Sequence, residues 1–233
     1  IPLLGVNHLV AHIYANLLNE KRPPLYPFIG LIISGGHTSL YYVRDVTDFR
    51  LLGETSDDAI GESYDKVSKM LGFGYPGGPL IEKSAKGGDP FAIDFPVAEL
   101  QGTHNFSFSG VKTAVLYYIK KKKEAGKRLT SKDIKNISAS FQQSVNGIVI
   151  KKTLACCKEK KASRVVVGGG VSANQNLRNR LIAASRVEGI NVFFPEMKFC
   201  LDNGAMVAIL GEELYKKGIR SNLSLTAEPN LVI

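Results

Sequence analysis

The stretch "YPFIGLIISGGHTSLYYVRDVTDFRLLGETS", residues 26–56, carries three strand signals in a row. Residues 26–34 form an apolar, β-branched run that stops at glycines, which predicts a strand. Residues 37–45 and 49–56 predict a second and a third, and the short, turn-like connections imply a three-stranded meander. Downstream, 59–72 reads as a helix ended by Gly72. Residues 75–90 open with a turn and contain a short helix, and 106–123 is a loop followed by a helix. Residues 130–161 read as one long helix or two joined ones, capped by Thr130 or Ser131. The rhythm then changes to strand 163–169, helix 174–189, strand 190–195 and helix 203–218. Strands alternating with helices imply parallel pairing. A meander followed by helix, strand, helix, strand, helix is an α/β pattern, that of a ribonuclease-H-like lobe. Upstream, 3–20 reads as a helix with one buried side.

Of the 233 residues, 44% are hydrophobic and 22% charged, as in ordinary globular chains and unlike disordered ones. No run of 18 apolar residues is present, so no membrane-spanning helix is expected. The chain opens "IPLLGVNH", without Met or a basic leader and close to a helix. That suggests a piece of something longer, with no signal peptide in view. Cys156 and Cys157 are adjacent and Cys200 is alone, which points to a reducing compartment without a disulfide framework. The net charge is +9 and unevenly placed. Residues 112–164 hold 15 of the 30 basic residues against three acids, Glu124, Asp133 and Glu159. A basic surface of this kind fits a polyanion such as RNA; a solvated lysine-rich helix face is the plainer alternative.

"NHLVAHIYAN" (7–16) holds His8 and His12 four apart. On a helix such residues sit one above the other, so the two imidazoles can share an ion. Two helical histidines that merely hydrogen-bond are the other reading. "IISGGHTS" (32–39) sets Ser34, Gly35 and Gly36 at a strand-to-strand turn, where paired glycines admit a ligand or simply make a hairpin. "VVVGGGVSANQNLR" (165–178) runs a strand into three glycines and a helix starting near Asn174, which suits a phosphate beside a helix N-terminus. It is not G-x-G-x-x-G, so a dinucleotide is disfavoured. Asp65 lies on a helix before the Gly77-Gly78 turn, and Asp202 stands just before the last helix, where an N-cap would explain it.

Together these segments resemble one family. His8 and His12, SGGHT at 34–38, YDKVSKMLGFGYPGGP at 64–79, FSFSGVKT at 106–113, GGVSAN at 169–174 and CLDNGAMVA at 200–208 match, in order, the motifs of the tRNA threonylcarbamoyladenosine transferases of TsaD type. Those proteins formerly carried the name O-sialoglycoprotein endopeptidase. The resemblance spans almost the whole chain and looks like the bacterial and mitochondrial branch. It implies the actin-like ATPase fold shared with sugar kinases, two ribonuclease-H-like lobes around a cleft. It further implies that His8, His12 and Asp202 hold one divalent metal, iron or zinc. Ile32, Ile33, Ser34, Gly35, Gly36, Asp65, Gly78 and Asn174 would surround the nucleotide-bearing substrate, threonylcarbamoyl-AMP, where an ATP- or ADP-like nucleotide could also sit. The family's chains carry about a hundred further residues at the start, the size of an ordinary lobe. Residues 1–26 are therefore expected to be the end of a mostly missing first lobe, and 27–233 the second lobe with a helical insertion. Many relatives have Glu where Val10 stands here.

The implied reaction transfers a threonylcarbamoyl group to N6 of adenosine 37 in tRNAs that read codons beginning with A, with AMP leaving. The metal would act as Lewis acid. Amides at Gly35, Gly36 and the 168–170 turn would stabilise charge, and Asn174 and Asp65 would orient the nucleoside. No residue presents itself as general base. The basic 112–164 region would take the tRNA backbone. Implied partners are tRNA, an inactive paralogue of the same fold and an ATPase subunit, with self-association also expected, in the cytoplasm or, in a eukaryote, the mitochondrion. Two rivals stand beside this reading. A metalloprotease needs H-E-x-x-H, and no Glu lies between His8 and His12. A non-catalytic actin-like nucleotide-binding scaffold is the other.

Overall fold

A computed structural model describes residues 1–18, 24–228 and 233. Three strands, β1 (Phe28–Ile33), β2 (Thr38–Asp45) and β3 (Asp48–Glu54), form the expected meander. β4 (Arg164–Gly168) and β5 (Asn191–Phe193) add to its other edge, giving the order β3-β2-β1-β4-β5. β1–β2 and β2–β3 are antiparallel, whereas β1–β4 and β4–β5 are parallel. This is the ribonuclease-H-like sheet that the element order predicts. β1 is central and buried along its whole length, which explains its unbroken apolar run.

The pleat divides β1 between two cores. Ile29, Leu31 and Ile33 face a large layer built from α2 (Ile60–Met70), α3 (Gly77–Ala85), α4 (Ser109–Glu124), α5 (Ser131–Lys160) and α6 (Gln175–Val187). Phe28 and Ile32 face a thinner layer with α1 (His8–Tyr14) and α7 (Gly204–Lys216). All three residues on the first face are fully buried, and truncating any of them to Ala would cost about 2–5 kcal/mol. α5 is a single helix of 30 residues. Its start is a reciprocal capping box between Thr130 and Asp133.

The expected helix over 3–20 is shorter. Asn7 accepts from the N–H groups of Leu9 and Val10 and so starts α1 at His8. Before it the chain is extended, with Leu3 bridged to Ser221 and the Gly5 N–H donating to Ser221 Oγ at 2.9 Å. After Tyr14 a single tight turn covers Ala15–Leu17. Residues 19 and 20 lie outside the described residues. Among the described residues no helix is long and apolar enough to cross a membrane.

Candidate metal and nucleotide site

α1 packs its backbone against the C-terminal end of β4. A side chain on Gly168 would lie 2.5 Å from the His12 carbonyl oxygen, so only glycine lets the helix approach this closely. The contact sets His12, which is 2% exposed, at the carboxyl edge of the sheet, with His8 one turn earlier and open to solvent. The rings meet edge-on at 4.9 Å.

Asp202 joins them from the loop before α7. Its Oδ1 lies 3.1 Å from His12 Nε2 and 3.5 Å from His8 Nε2. Donor atoms of all three residues fall within 4.8 Å of one another. Bonds of 2.0–2.2 Å to one centre would place donors about 3–3.6 Å apart, so two imidazoles and one carboxylate here fit a divalent ion with positions left open. Softness and geometry of such a set suit non-haem iron or zinc. Burial, then the neighbouring His8, pushes His12 below the usual imidazole range, while Asp202 opposes. The neutral ring is the ligating form.

The helix cap that could have explained Asp202 belongs to its neighbour. Asn203 Oδ1 accepts from the Met206 N–H at 2.9 Å, and its amide donates to the Leu201 carbonyl at 2.8 Å. Asp202 is thereby left 76% exposed and turned to the histidines. Arg178 braces the same loop. It donates to the carbonyls of Ser172 (2.6 Å) and Pro195 (2.7 Å) and to Cys200 Sγ (3.1 Å), with its guanidinium over Phe194. Neither role is legible in the sequence: an Asp-Asn pair does not say which member caps, and nothing in the spacing singles out Arg178.

The expected nucleotide-binding residues lie along the same edge but play different parts. The 34–36 turn is held by the Ser34 N–H donating to the His37 carbonyl and by Ser34 Oγ accepting from Gly36 and His37. Gly35 and Gly36 face open space, with no atom within 4 Å of a built side chain. Among the described residues the Gly35 N–H has no protein partner, whereas that of Gly36 is engaged by Ser34 at 3.3 Å. Gly61 starts α2 directly on this turn, its N–H donating to the Ser34 carbonyl at 3.2 Å. The side chains of Ile32 and Ile33 are wholly buried on opposite sheet faces, leaving only their backbone at the edge.

Asp65 Oδ1 accepts from the Gly77 N–H at 2.6 Å and so anchors the turn that presents Gly78, again open. Asn174 caps α6 through Leu177 (2.8 Å), and its amide donates to Gln142 Oε1 at 2.9 Å. Glu82, which carried no signal in the sequence, accepts from the Gln175 and Asn176 N–H groups at 2.7 and 3.1 Å. The 168–170 turn is more closed than its glycines suggest. Gly169 has φ +92°, and a side chain there would strike the Ile33 carbonyl oxygen at 2.4 Å. A groove of about 1170 Å³ opens beside the triad, lined by Asn7, His8, His37 and Glu54 among others.

Residues 1–209 match the sequence model of the TsaD family, described as tRNA N6-adenosine threonylcarbamoyltransferase. Proteins of that name resemble the chain closely. The one from Symbiobacterium thermophilum is 44% identical over 99% of this chain and 66% of its own length. The one from Dictyoglomus turgidum is 45% identical over 100% of this chain and 68% of its own. The chain thus spans about two thirds of the length of these relatives. Among solved structures, T. kodakarensis HypF superposes with a TM-score of 0.67 at 17% identity, over 94% of this chain and 37% of HypF. A full-length HypF in a phosphate- and nucleotide-bound form gives 0.67 at 15% identity, covering 96% and 37%. At such identities the likeness speaks for the fold. The match over 209 residues, with these identities, places the chain in the tRNA N6-adenosine threonylcarbamoyltransferase family.

Proposed function

We propose that this chain supplies the metal-holding and nucleotide-facing edge of an enzyme that transfers threonylcarbamoyl from threonylcarbamoyl-AMP to N6 of adenosine 37 in tRNA. The observation that carries the reading is the convergence of His8 and His12 from α1 with Asp202 from the distant loop before α7, in a chain of this family. His8, His12 and Asp202 would hold one divalent ion, iron or zinc. Bound there, such an ion supplies Lewis acidity and positive charge for substrate oxygens.

The chain's own residues then do the positioning. The open Gly35–Gly36 turn lets a phosphate approach the backbone, and the Gly35 N–H is available to it. Asp65 holds the Gly77–Gly78 turn, whose outer face admits a ribose or base. Asn174, already committed through its oxygen to the α6 cap, keeps one amide hydrogen for the nucleoside. Ile32 and Ile33 contribute the rigid strand end from which the turn departs. The amine of adenosine is a weak nucleophile, so the arrangement works on the leaving phosphate and the carbonyl. tRNA would lie along the lysine-rich α4 and α5. An inactive paralogue and an ATPase subunit are the expected protein partners, and the cytoplasm is the expected compartment.

The test uses the complete enzyme with metal analysis and transfer of labelled threonine to tRNA. His12→Ala should remove most bound metal and most transfer. Stoichiometric metal in a His8→Ala, His12→Ala double variant would sink the assignment.

A further inference from the structure

Away from the triad, α5, α6 and the loop over 90–94 line an open cavity of about 400 Å³. Arg180 forms part of its wall. The guanidinium is half-buried, donates to the Gln143 carbonyl at 3.1 Å, and has no carboxylate partner among the described residues. It has five N–H donors, and Gln143 supplies its one hydrogen-bond acceptor among the described residues. Burial lowers its pKa, with the Tyr64 phenol opposing. Asp94 lines the same cavity without pairing to Arg180. Gly147, in the middle of the 30-residue α5, leaves the wall open: a side chain there would sit 3.5 Å from Arg180 Nη2. A mid-helix glycine is locally unfavourable and commonly marks a packing or ligand requirement. At the rim stands Phe91, 78% exposed.

We infer that this cavity takes one unstacked nucleotide of the RNA substrate, a reading that rests on the tRNA assignment above. Ring, cation and acceptor match the three parts of a nucleotide. A base stacks on Phe91, its amino group donates to Asp94, and its phosphate meets Arg180, while Lys151 at the rim is already paired with Glu99 at 2.6 Å. Proteins read single-stranded RNA by such stacking and edge contacts. The volume lies at the lower end of ligand cavities, enough for one nucleotide and too small for a duplex. The chain's charge suits the same ligand: Lys120, Lys121, Lys123, Lys127 and Arg128 lie exposed at the α4–α5 end, and such charges attract the phosphate backbone. The cavity is separate from the candidate nucleotide turn. Gln142 bonds to Asn174 there, while the adjacent Gln143 faces this cavity.

The experiment measures fluorescence anisotropy of a labelled single-stranded oligoribonucleotide and of an RNA duplex on the complete enzyme. Phe91→Ala, whose side chain is exposed and whose loss spares the core, should weaken single-strand binding about 5- to 100-fold, the scale of one stacked base. Phe91→Tyr should restore it, and duplex binding should not change. Arg180→Gln should weaken the single strand too, with its fold checked by melting. Unchanged single-strand affinity in Phe91→Ala overturns the proposal, as does an equal loss for the duplex. Transfer to whole tRNA by the unaltered enzyme separates the two claims. Its absence fails the tRNA reading, whereas transfer with unaffected variant binding fails the cavity alone.

Discussion

The turns that leave the C-terminal ends of β1 and β4 look alike on paper, Ser-Gly-Gly in one and Gly-Gly-Gly in the other. In space they are opposites. Gly35 and Gly36 have nothing within 4 Å of a built side chain, while Gly168 and Gly169 would drive one into backbone at 2.5 and 2.4 Å. The first pair leaves room for something outside the protein. In the second pair Gly168 lets α1, and with it His12, onto the sheet, and Gly169 lets the turn pack on the end of β1. Glycine therefore serves access in one turn and close packing in the other, and only the neighbours distinguish them.

The largest effect should come from breaking the packed turn. Gly169→Ala forces a φ of +92° on a residue with a side chain and sets that side chain against the Ile33 carbonyl. We expect a loss of about 3 kcal/mol, lowering Tm by about 6–12 °C, with metal binding weakened alongside. Gly36→Ala should stay within about 0.5 kcal/mol while reducing nucleotide affinity. Calorimetry and nucleotide titration of both variants check this, and equal melting losses would dissolve the distinction.

A smaller effect sharpens the comparison on the α7 side. Asn203→Ala removes the cap on Met206 and the tie to Leu201. It should cost about 1 kcal/mol, or roughly 2–4 °C, and loosen the loop that presents Asp202. Asp202→Asn, at an exposed position, should leave melting of the metal-free protein unchanged and lower metal affinity. If Asp202→Asn melts earlier than Asn203→Ala, the cap has been assigned to the wrong residue.

The smallest effect lies far from both turns. The Thr130 N–H, then Lys122, hold the Asp133 carboxyl at about 2. A depressed acid contributes stability that is fully present above its unfolded value of about 4 and is lost as pH falls through the folded value. Stability should therefore decline between about pH 4 and pH 2, and Asp133→Asn should flatten that part of the curve. Because the side chain keeps contact with solvent at 21% exposure and solvent screens such pairs, the change should be slight. An unaltered acid limb would remove the capping box from the account.

Much of the fold is readable from pattern. The meander, the alternating strands and helices and the parallel pairing all appear where periodicity puts them, because a strand buried on both faces must be continuously apolar and a crossover helix must be amphipathic. The first helix is shorter than its pattern suggests: residues 3–7 are apolar enough to continue it, but Asn7 competes for the first N–H groups and ends the helical run there. His8 and His12 announce themselves by spacing, since four residues make one face of a helix. Asp202 could be named only through resemblance to a family, as its own surroundings allowed an ordinary cap.

What the sequence determined by itself is local and periodic: which segments are strands or helices, which faces are apolar, and that two imidazoles share one helix face. What the tertiary structure decided is every relation across long separations. It gave the α7 cap to Asn203 and released Asp202, it turned Gly168 and Gly169 into contact surfaces, and it enlisted Glu82 and Arg178 as braces. Such relations depend on which backbone atoms come within a few ångströms after the layers pack, and no period or propensity along the chain encodes that distance.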